Sequence, residues 1–457
     1  MLRIRELALD LSPLRAGGPL GLVLATRVLA LLCIGLTSVG VVVQVYEQTG
    51  SSVQVGAVSL VLGAGLLLGF LVGGVLADRR DRRALILVGS GWAVVTFVAL
   101  SVNAAADSPA LWVVYVSGTL FGFTEGVAET ALTAVVPTFV SEEHIPATGA
   151  LVTVTTTLGS IAGPMLGGVL IAGPGLATTF GLAAAGTAIT TLLLTRLGPM
   201  PPTDAEPTGA EPAGADVPKA AAAAERPGAL ESLREGFAFI KGSRVVAAVL
   251  VVDLCAALFA TPTALYPEFA EERFGGGPEL VGVLTTAPVI GATVASLVSG
   301  WTGRTRHQWR VLCAAVAVWG LACVGFGLSP LLGFGLFFLA LGGMADTFSE
   351  IMRRTLLMRH TPDPLQGRVS SLWLAQAMTA PALGGVLAGL AASAVGPSTA
   401  VAAGGALCVA ALCLVALLYR RLWRESGEST VREDDDTQDV PAGGGGPGSN
   451  SDATAAT

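Results

Sequence analysis

The chain has 457 residues, of which 52% are hydrophobic and only 13% are charged, and its formal net charge is −7. Soluble domains carry about one quarter charged residues, so this composition excludes an ordinary soluble domain. The six cysteines lie in apolar stretches without C-x-x-C spacing, and the three histidines lack metal-ligand spacing. The sequence therefore predicts no metal site, no cofactor and no nucleic-acid partner.

Apolar segments long enough to cross a membrane recur along the chain. A bilayer core requires about 20 mostly apolar residues per helix. Twelve segments satisfy this length, at 19–46, 53–77, 84–104, 110–137, 147–172, 175–196, 245–267, 279–301, 310–328, 331–352, 369–394 and 398–419. The sequence predicts an all-α, multi-pass membrane protein with 12 transmembrane helices.

The distribution of basic residues predicts the orientation of these helices. Cytoplasmic loops collect Lys and Arg because positive charge resists translocation. If both termini are cytoplasmic, 24 of the 26 Lys and Arg residues fall in cytoplasmic segments, whereas Arg273 lies outside and Arg27 lies near the inner end of the first span. The sequence thus predicts that both termini lie in the cytoplasm.

A segment rich in Pro, Ala and Gly, at 198–229, divides the predicted spans into six and six. It lacks the large apolar side chains needed for a core, so we expect a flexible cytoplasmic linker. The halves also repeat, because "GPMLGGVL" at 163–170 recurs as "APALGGVL" at 380–387. These patterns predict an N-terminal six-helix half at 1–197, the linker at 198–229, a C-terminal six-helix half at 230–424 and a disordered tail at 425–457.

The link between the second and third spans carries a recognisable motif. It reads "GGVLADRRDRR" at 73–83, and its second-half counterpart is the weaker "SGWTGRTRHQWR" at 299–310. With the 6+6 arrangement, this motif resembles that of the major facilitator superfamily, whose fold has two pseudo-symmetric halves. The acidic residue at position 81, "TALYPEFAE" at 263–271 and "TPDPLQGRVSSLWLAQAMT" at 361–379 resemble the siderophore (enterobactin) exporter branch.

The resemblance implies that this link is a gating latch that holds the cytoplasmic gate closed. A carboxylate at the end of the second span can interact with a helix N-terminus, and nearby arginines can reach carboxylates of the fourth span. Glu129 is accordingly interpreted as a partner of Arg79 or Arg82. The predicted latch consists of Gly74, Asp78, Arg79, Arg82, Arg83 and Glu129.

The fifth predicted span contains closely spaced small residues and one proline. Such residues let helix backbones approach closely, and proline bends a helix. Helix packing alone is one explanation of the pattern. The pattern also resembles the antiporter motif of exporters in the superfamily, which favours export over import. Its residues are Gly159, Gly163, Pro164, Gly167 and Gly168.

Charged and polar side chains inside the spans are the candidates for proton coupling or substrate binding. A carboxylate at the membrane centre costs about 2.5–3.5 kcal/mol on insertion scales, so it is a functional candidate by default. Glu125 and Asp346 occupy equivalent positions of the two halves and are the first candidates. Asp253 and Gln376 are further candidates, and Arg27 is either an interfacial anchor or a ligand for an anionic substrate.

Three functions remain open from the sequence. The first is a secondary active exporter, a proton antiporter that moves a siderophore or a similar amphipathic natural product. The second is a macrolide-type or multidrug efflux pump, and the third is a non-transporting membrane sensor or scaffold. The chain lacks a P-loop and a catalytic constellation, so an enzyme is not expected. The expected partners are a small-molecule substrate, protons and membrane lipid, and we expect a functional monomer in the cell membrane.

Overall fold

The computed structural model describes residues 20–77, 80–135, 145–196, 229–305 and 307–419. Asp78 and Arg79 of the predicted latch, nearly all of the predicted linker and the whole predicted tail lie outside these residues. Within the described ranges the chain is helical and contains no strand. The long helices are α1 (Leu20–Thr49), α2 (Ser52–Ala77), α3 (Arg82–Ala104), α4 (Leu111–Val135), α5 (Ile145–Ala172), α6 (Leu176–Leu194), α7 (Ala229–Gly242), α8 (Arg244–Phe259), α9 (Pro278–Val298), α10 (Gln308–Leu328), α11 (Leu332–His360), α12 (Asp363–Val395) and α13 (Pro397–Leu418).

Twelve of the described helices are long and apolar enough to cross a membrane. They are α1–α6 and α8–α13, where the span that begins with α8 continues through short turns to Arg273. The prediction of an all-α protein with 12 transmembrane helices is confirmed. The remaining helix, α7, was not predicted; it covers 14 residues directly before α8, and Phe239 and Ile240 pack from it against the core of the second half.

Helix pairs repeat between the two halves. In the first half α2 packs on α4, α1 on α5, and α3 on α6, and the equivalent pairs of the second half are α9–α11, α8–α12 and α10–α13. Contacts between the halves follow the same rule, since α5 packs on α9 and α12 packs on α2. The chain is therefore two similar bundles related by a pseudo-two-fold arrangement, as the internal repeats predict.

Glycines allow the halves to approach closely at the end of the bundle where α2 and α9 begin. A Cβ atom on Gly56 would lie 2.5 Å from the backbone nitrogen of Val386, and one on Gly389 would lie 2.6 Å from that of Val53. At the same end, the hydroxyl of Ser52 donates to Oε2 of Glu268 across the halves at 2.5 Å. These contacts join the two bundles at this end, which we call the joined end.

The span that begins with α8 is interrupted near its middle. α8 ends at Phe259, and the chain continues through a 3-10 turn (Thr263–Leu265), a single α turn (Tyr266–Glu268) and a π turn (Phe269–Arg273). Pro262 has no N–H group, so the helix cannot continue through it without losing a hydrogen bond. The interruption leaves irregular backbone inside a predicted membrane span, where Sγ of Cys323 donates to the carbonyl of Ala260 at 3.2 Å and the N–H of Leu265 donates to that of Pro262 at 2.9 Å.

Helices α11 and α12 are longer than the apolar segments predict. α11 continues eight residues beyond the predicted end at 352, and α12 begins six residues before the predicted start at 369. Polar residues of this α11 extension remain helical because Arg353 turns into the bundle and Arg354 pairs with Glu350 one turn earlier at 2.8 Å. The predicted boundaries follow the apolar residues, so they stop at the first charged residues, whereas the helices continue through them.

Candidate functional site: two charged clusters within the helix bundles

A charged cluster lies between α1, α4 and α5 in the first half. Arg27 on α1 binds Glu129 on α4 through two contacts, Nη2–Oε1 at 3.1 Å and Nη1–Oε2 at 3.4 Å. Its Nε also donates to Oγ1 of Thr156 on α5 at 3.5 Å. The side chains of Arg27 and Glu129 are 18% and 33% exposed. Arg27 is therefore an ion-pair partner of Glu129, a role that neither sequence interpretation assigned to it, whereas the predicted partner Arg79 lies outside the described residues.

Glu125 lies one helical turn from Glu129 and faces the same cavity. This cavity of about 80 Å³ is lined by residues of α1, α3, α4 and α6, including Arg27, Ser90 and Thr190. Glu125 makes no hydrogen bond or ion pair with any residue that the structure describes. A carboxyl group without a partner inside a membrane span is a functional candidate. The first half thus places an unpaired acid beside an ion pair.

The second half contains a more enclosed cluster. Arg353 on α11 contacts carboxylates on two helices: it pairs closely with Asp253 of α8, and its Nη2 lies 3.3 Å from Oδ1 of Asp346. Gln376 on α12 donates to Oδ2 of Asp253 at 2.8 Å and to the carbonyl of Leu250 at 3.0 Å. Asp253 and Arg353 are buried, whereas the side chain of Asp346 is 42% exposed. Asp346 is therefore the accessible member of the cluster.

The two clusters have opposite polarity. The first half has the arginine on α1 and the acid on α4, whereas the second half has the acid on α8 and the arginine on α11. Since α1 and α8 are equivalent helices, as are α4 and α11, each ion pair joins the same two helices of its half with the charges exchanged. Arg353 is the functional candidate that the sequence interpretation missed, because it was assigned to a cytoplasmic loop beside Arg354. Its spacing of seven residues from Asp346, two helical turns, was the signal that could have identified it.

The described residues of the predicted latch lie around the start of α3. Oδ1 of Asp81 accepts a hydrogen bond from the backbone N–H of Arg83 at 2.9 Å, which caps α3. Nη2 of Arg83 donates to the carbonyl of Thr195, just after α6, at 2.6 Å. Arg82 is the first residue of α3, and a Cβ atom on Gly74 would meet no described atom within 4 Å. The latch function of these residues remains a prediction.

The residues of the predicted antiporter motif contact two neighbouring helices. Gly159, Gly163 and Gly167 face α1, and a Cβ atom on Gly163 would lie 2.9 Å from Cα of Gly35. Gly168 faces the first turn of α9, and Pro164 lies inside α5 with its carbonyl 2.4 Å from the position of a Cβ on Gly282. α5 therefore packs closely against α1 in its own half and against α9 in the other half.

Comparison with known proteins places this arrangement in a family. The sequence model described as Major Facilitator Superfamily matches residues 23–272 and 249–443. The chain belongs to this superfamily. Among solved structures, a peptide transporter of the POT family superposes with a TM-score of 0.69 at 14% identity, covering 89% of this chain and 95% of the transporter. The nucleoside transporter NupG superposes with a TM-score of 0.68 at 13% identity, covering 87% of this chain and 100% of that chain. At these identities the likeness shows the fold alone.

Relatives of known function share much more of the sequence. The enterobactin exporter EntS of Shigella boydii is 33% identical over 428 residues, which cover 93% of this chain and 98% of the relative. EntS of Escherichia coli O81 is 32% identical over the same coverage. The resemblance to the siderophore exporter branch is thus confirmed. This major facilitator protein is a multi-pass transporter of the cell membrane and not an enzyme.

Proposed function

We propose that this major facilitator protein exports a siderophore of the enterobactin type across the cell membrane and that protons moving inward drive the export. The observation that carries the cargo assignment is the similarity to the enterobactin exporters over nearly their whole length. This similarity does not favour the drug-efflux alternative. The unpaired acid Glu125 beside the Arg27–Glu129 pair supports the proton coupling.

The contacts between the halves support loading of cargo from the cytoplasm. The basic residues favour an orientation with both termini inside, which places the joined end, with Ser52 and Glu268, at the outer surface. In that orientation the outer gate is closed, and we infer that cargo enters from the cytoplasmic end. Export then requires the halves to separate at the joined end and to close at the latch. A single chain contains both halves, so a monomer suffices for this cycle.

Glu125 is the proposed coupling group because its protonation state can change the partners of Arg27. When Glu125 is protonated, Arg27 binds Glu129 alone. When Glu125 is ionised, two carboxylates compete for one guanidinium, and the contacts between α1, α4 and α5 must readjust. Because α5 packs on both α1 and α9, such a readjustment reaches the interface between the halves.

A secretion experiment tests the cargo. The gene is expressed in an enterobactin-producing bacterial strain that lacks its own exporter, under iron limitation, and enterobactin is measured in the medium and in the cells. We expect restored secretion and low cellular retention with the native chain. Unchanged retention with a correctly inserted chain would refute the cargo assignment, and resistance to a macrolide without restored secretion would support the efflux alternative instead.

A further inference from the structure

A second cavity lies within the second half, and Asp346 is one of the residues that line it. Its volume is about 180 Å³, and residues of α9, α10, α11 and the interrupted span after α8 line it. Three of these residues are aromatic, namely Tyr266, Trp319 and Phe338. The lining residues lie near the middle of their spans, which places the cavity deep in the membrane. We call it the aromatic cavity.

The interruption of the α8 span forms one wall of the aromatic cavity. Residues 260–263, where the helix stops, all line it. Irregular backbone at membrane depth is tolerated only where protein buries it or where it lines a cavity. In transporters, substrate sites are commonly built from such discontinuous helices. The position of the interruption in the cavity wall is therefore consistent with a substrate site.

The size and the walls of the aromatic cavity fit a single aromatic ring. An apolar protein cavity of about 150 Å³ accommodates benzene, and the aromatic cavity is slightly larger. Aromatic side chains favour offset-stacked or edge-to-face contacts with another ring, worth about 0.5–1.5 kcal/mol beyond their area. A larger rigid molecule would not fit completely, so the cavity would receive one ring of a larger cargo.

Asp346 supplies the polar group that selects among aromatic rings. Its carboxylate lines the cavity and is partly exposed, and Nη2 of Arg353 lies 3.3 Å from Oδ1. An ionised carboxylate accepts hydrogen bonds and donates none. The adjacent guanidinium opposes a second cation at the same position, while hydroxyl groups on a neutral ring can donate to the free lone pairs.

We propose that the aromatic cavity binds an aromatic ring that carries hydroxyl groups, a phenol or a catechol, as one part of the exported molecule. The proposal rests on the proposed export function. Under this proposal the two halves have different roles. The unpaired Glu125 of the first half carries protons, and Asp346 of the second half recognises cargo. Arg353 holds Asp346 in position from one side, and Asp253 with Gln376 holds Arg353 from the other.

Binding of small fluorinated rings to the full chain in lipid nanodiscs tests this proposal without any transport. The probes are 4-fluorocatechol, fluorobenzene, which lacks the hydroxyls, and 4-fluorobenzylammonium, which carries a positive charge. Fluorine NMR line broadening gives the affinity of each. We expect 4-fluorocatechol to bind roughly tenfold or more tightly than either of the other rings, as hydrogen bonds to a charged acceptor imply.

Two variants locate the site. A Cβ atom on Gly342 would lie 3.6 Å from Cδ1 of Trp319 and 3.7 Å from Cβ of Ala322, so Gly342→Leu fits locally and fills the cavity. Gly333 on the same helix has no described atom within 4 Å of such a Cβ, so Gly333→Leu is the matched control. We expect Gly342→Leu to abolish binding of 4-fluorocatechol, Gly333→Leu to leave it unchanged, and Asp346→Ala to reduce it to the level of fluorobenzene.

Several outcomes would overturn the proposal. Equal affinity for fluorobenzene would indicate an apolar cavity without selection, and preferential binding of the ammonium probe would indicate a cation site. Binding that survives Gly342→Leu would place the ring elsewhere. Because none of these measurements requires a proton gradient, they can fail while siderophore export is confirmed. Conversely, selective binding of the catechol alongside absent export would refute the proposed function and leave only the ring-binding site in place.

Discussion

The buried ion pair of Asp253 and Arg353 gives a quantitative prediction. Both side chains are less than 10% exposed, and Gln376 satisfies the second oxygen of Asp253. Removing one partner of a buried pair leaves an uncompensated charge and typically costs 3–5 kcal/mol. Arg353 retains a weaker contact to the exposed Asp346, so we expect Asp253→Ala to lower the free energy of unfolding by about 3 kcal/mol, at the lower end of that range.

A neighbouring pair on the same helix is the control. Arg354 and Glu350 are four residues apart, with side chains 60% and 42% exposed, and Arg354 also lies 5.0 Å from the ring of Trp373. Exposed pairs at this spacing contribute about 0.3–0.5 kcal/mol. Glu350→Ala should therefore lower the free energy of unfolding by less than about 1 kcal/mol.

The assay is reversible unfolding of the purified full chain in mixed detergent micelles with increasing denaturing detergent. The double substitution Asp253→Leu with Arg353→Met should lose less stability than Asp253→Ala alone, because it removes both buried charges. Equal, small losses for Asp253→Ala and Glu350→Ala would refute the reasoning. A double variant that loses as much stability as Asp253→Ala, or more, would refute it as well.

Three further predictions concern the packing of α5, the linker and the latch. Gly163→Val should lower the melting temperature, since its Cβ would lie 2.9 Å from Cα of Gly35 and overpacking costs about 1–3 kcal/mol. Gly149→Val should not lower it, since no described atom lies within 4 Å of a Cβ there; equal melting temperatures of the two variants would contradict the close α1–α5 contact. Deleting residues 201–225 should leave membrane insertion and the melting temperature unchanged, and loss of expression would show that the linker packs against a half. Arg79→Ala or Asp78→Asn should reduce transport while the protein stays in the membrane. Native transport rates in these variants would mean that the link only fixes the orientation of the helices and is not a latch.

The span number, the division into halves and the export branch could be predicted from the sequence because they depend on local composition and repeats. Each span needs about 20 apolar residues whatever its neighbours are, and duplication leaves matching motifs at a nearly constant offset. The boundaries of α11 and α12 could not be predicted this way, since Arg353 and the Arg354–Glu350 pair continue the helix beyond the apolar window.

The site was only partly predictable for a related reason. The sequence identifies Glu125, Asp253 and Asp346 because charge inside a span is costly wherever it packs. Which charges pair depends on helix rotation, so the Arg27–Glu129 bond and the role of Arg353 appear only when the helices are assembled. The aromatic cavity is formed by four separate segments, one of which is the interrupted α8 span. No local sequence pattern indicates that these segments meet.

The central claim, proton-driven export through Glu125, is tested most directly in inside-out membrane vesicles with an acidic lumen. The measured quantities are the enterobactin that accumulates in the lumen and the rise in luminal pH as protons leave it. The lumen corresponds to the outside of the cell, so this is the same direction of proton movement as in the proposed export. The native chain should accumulate enterobactin above the bath concentration until an ionophore removes the pH gradient. Glu125→Gln should let enterobactin equilibrate without accumulating it, because the amide cannot release a proton. Accumulation by Glu125→Gln to the native level, with the same dependence on the pH gradient, would contradict the account.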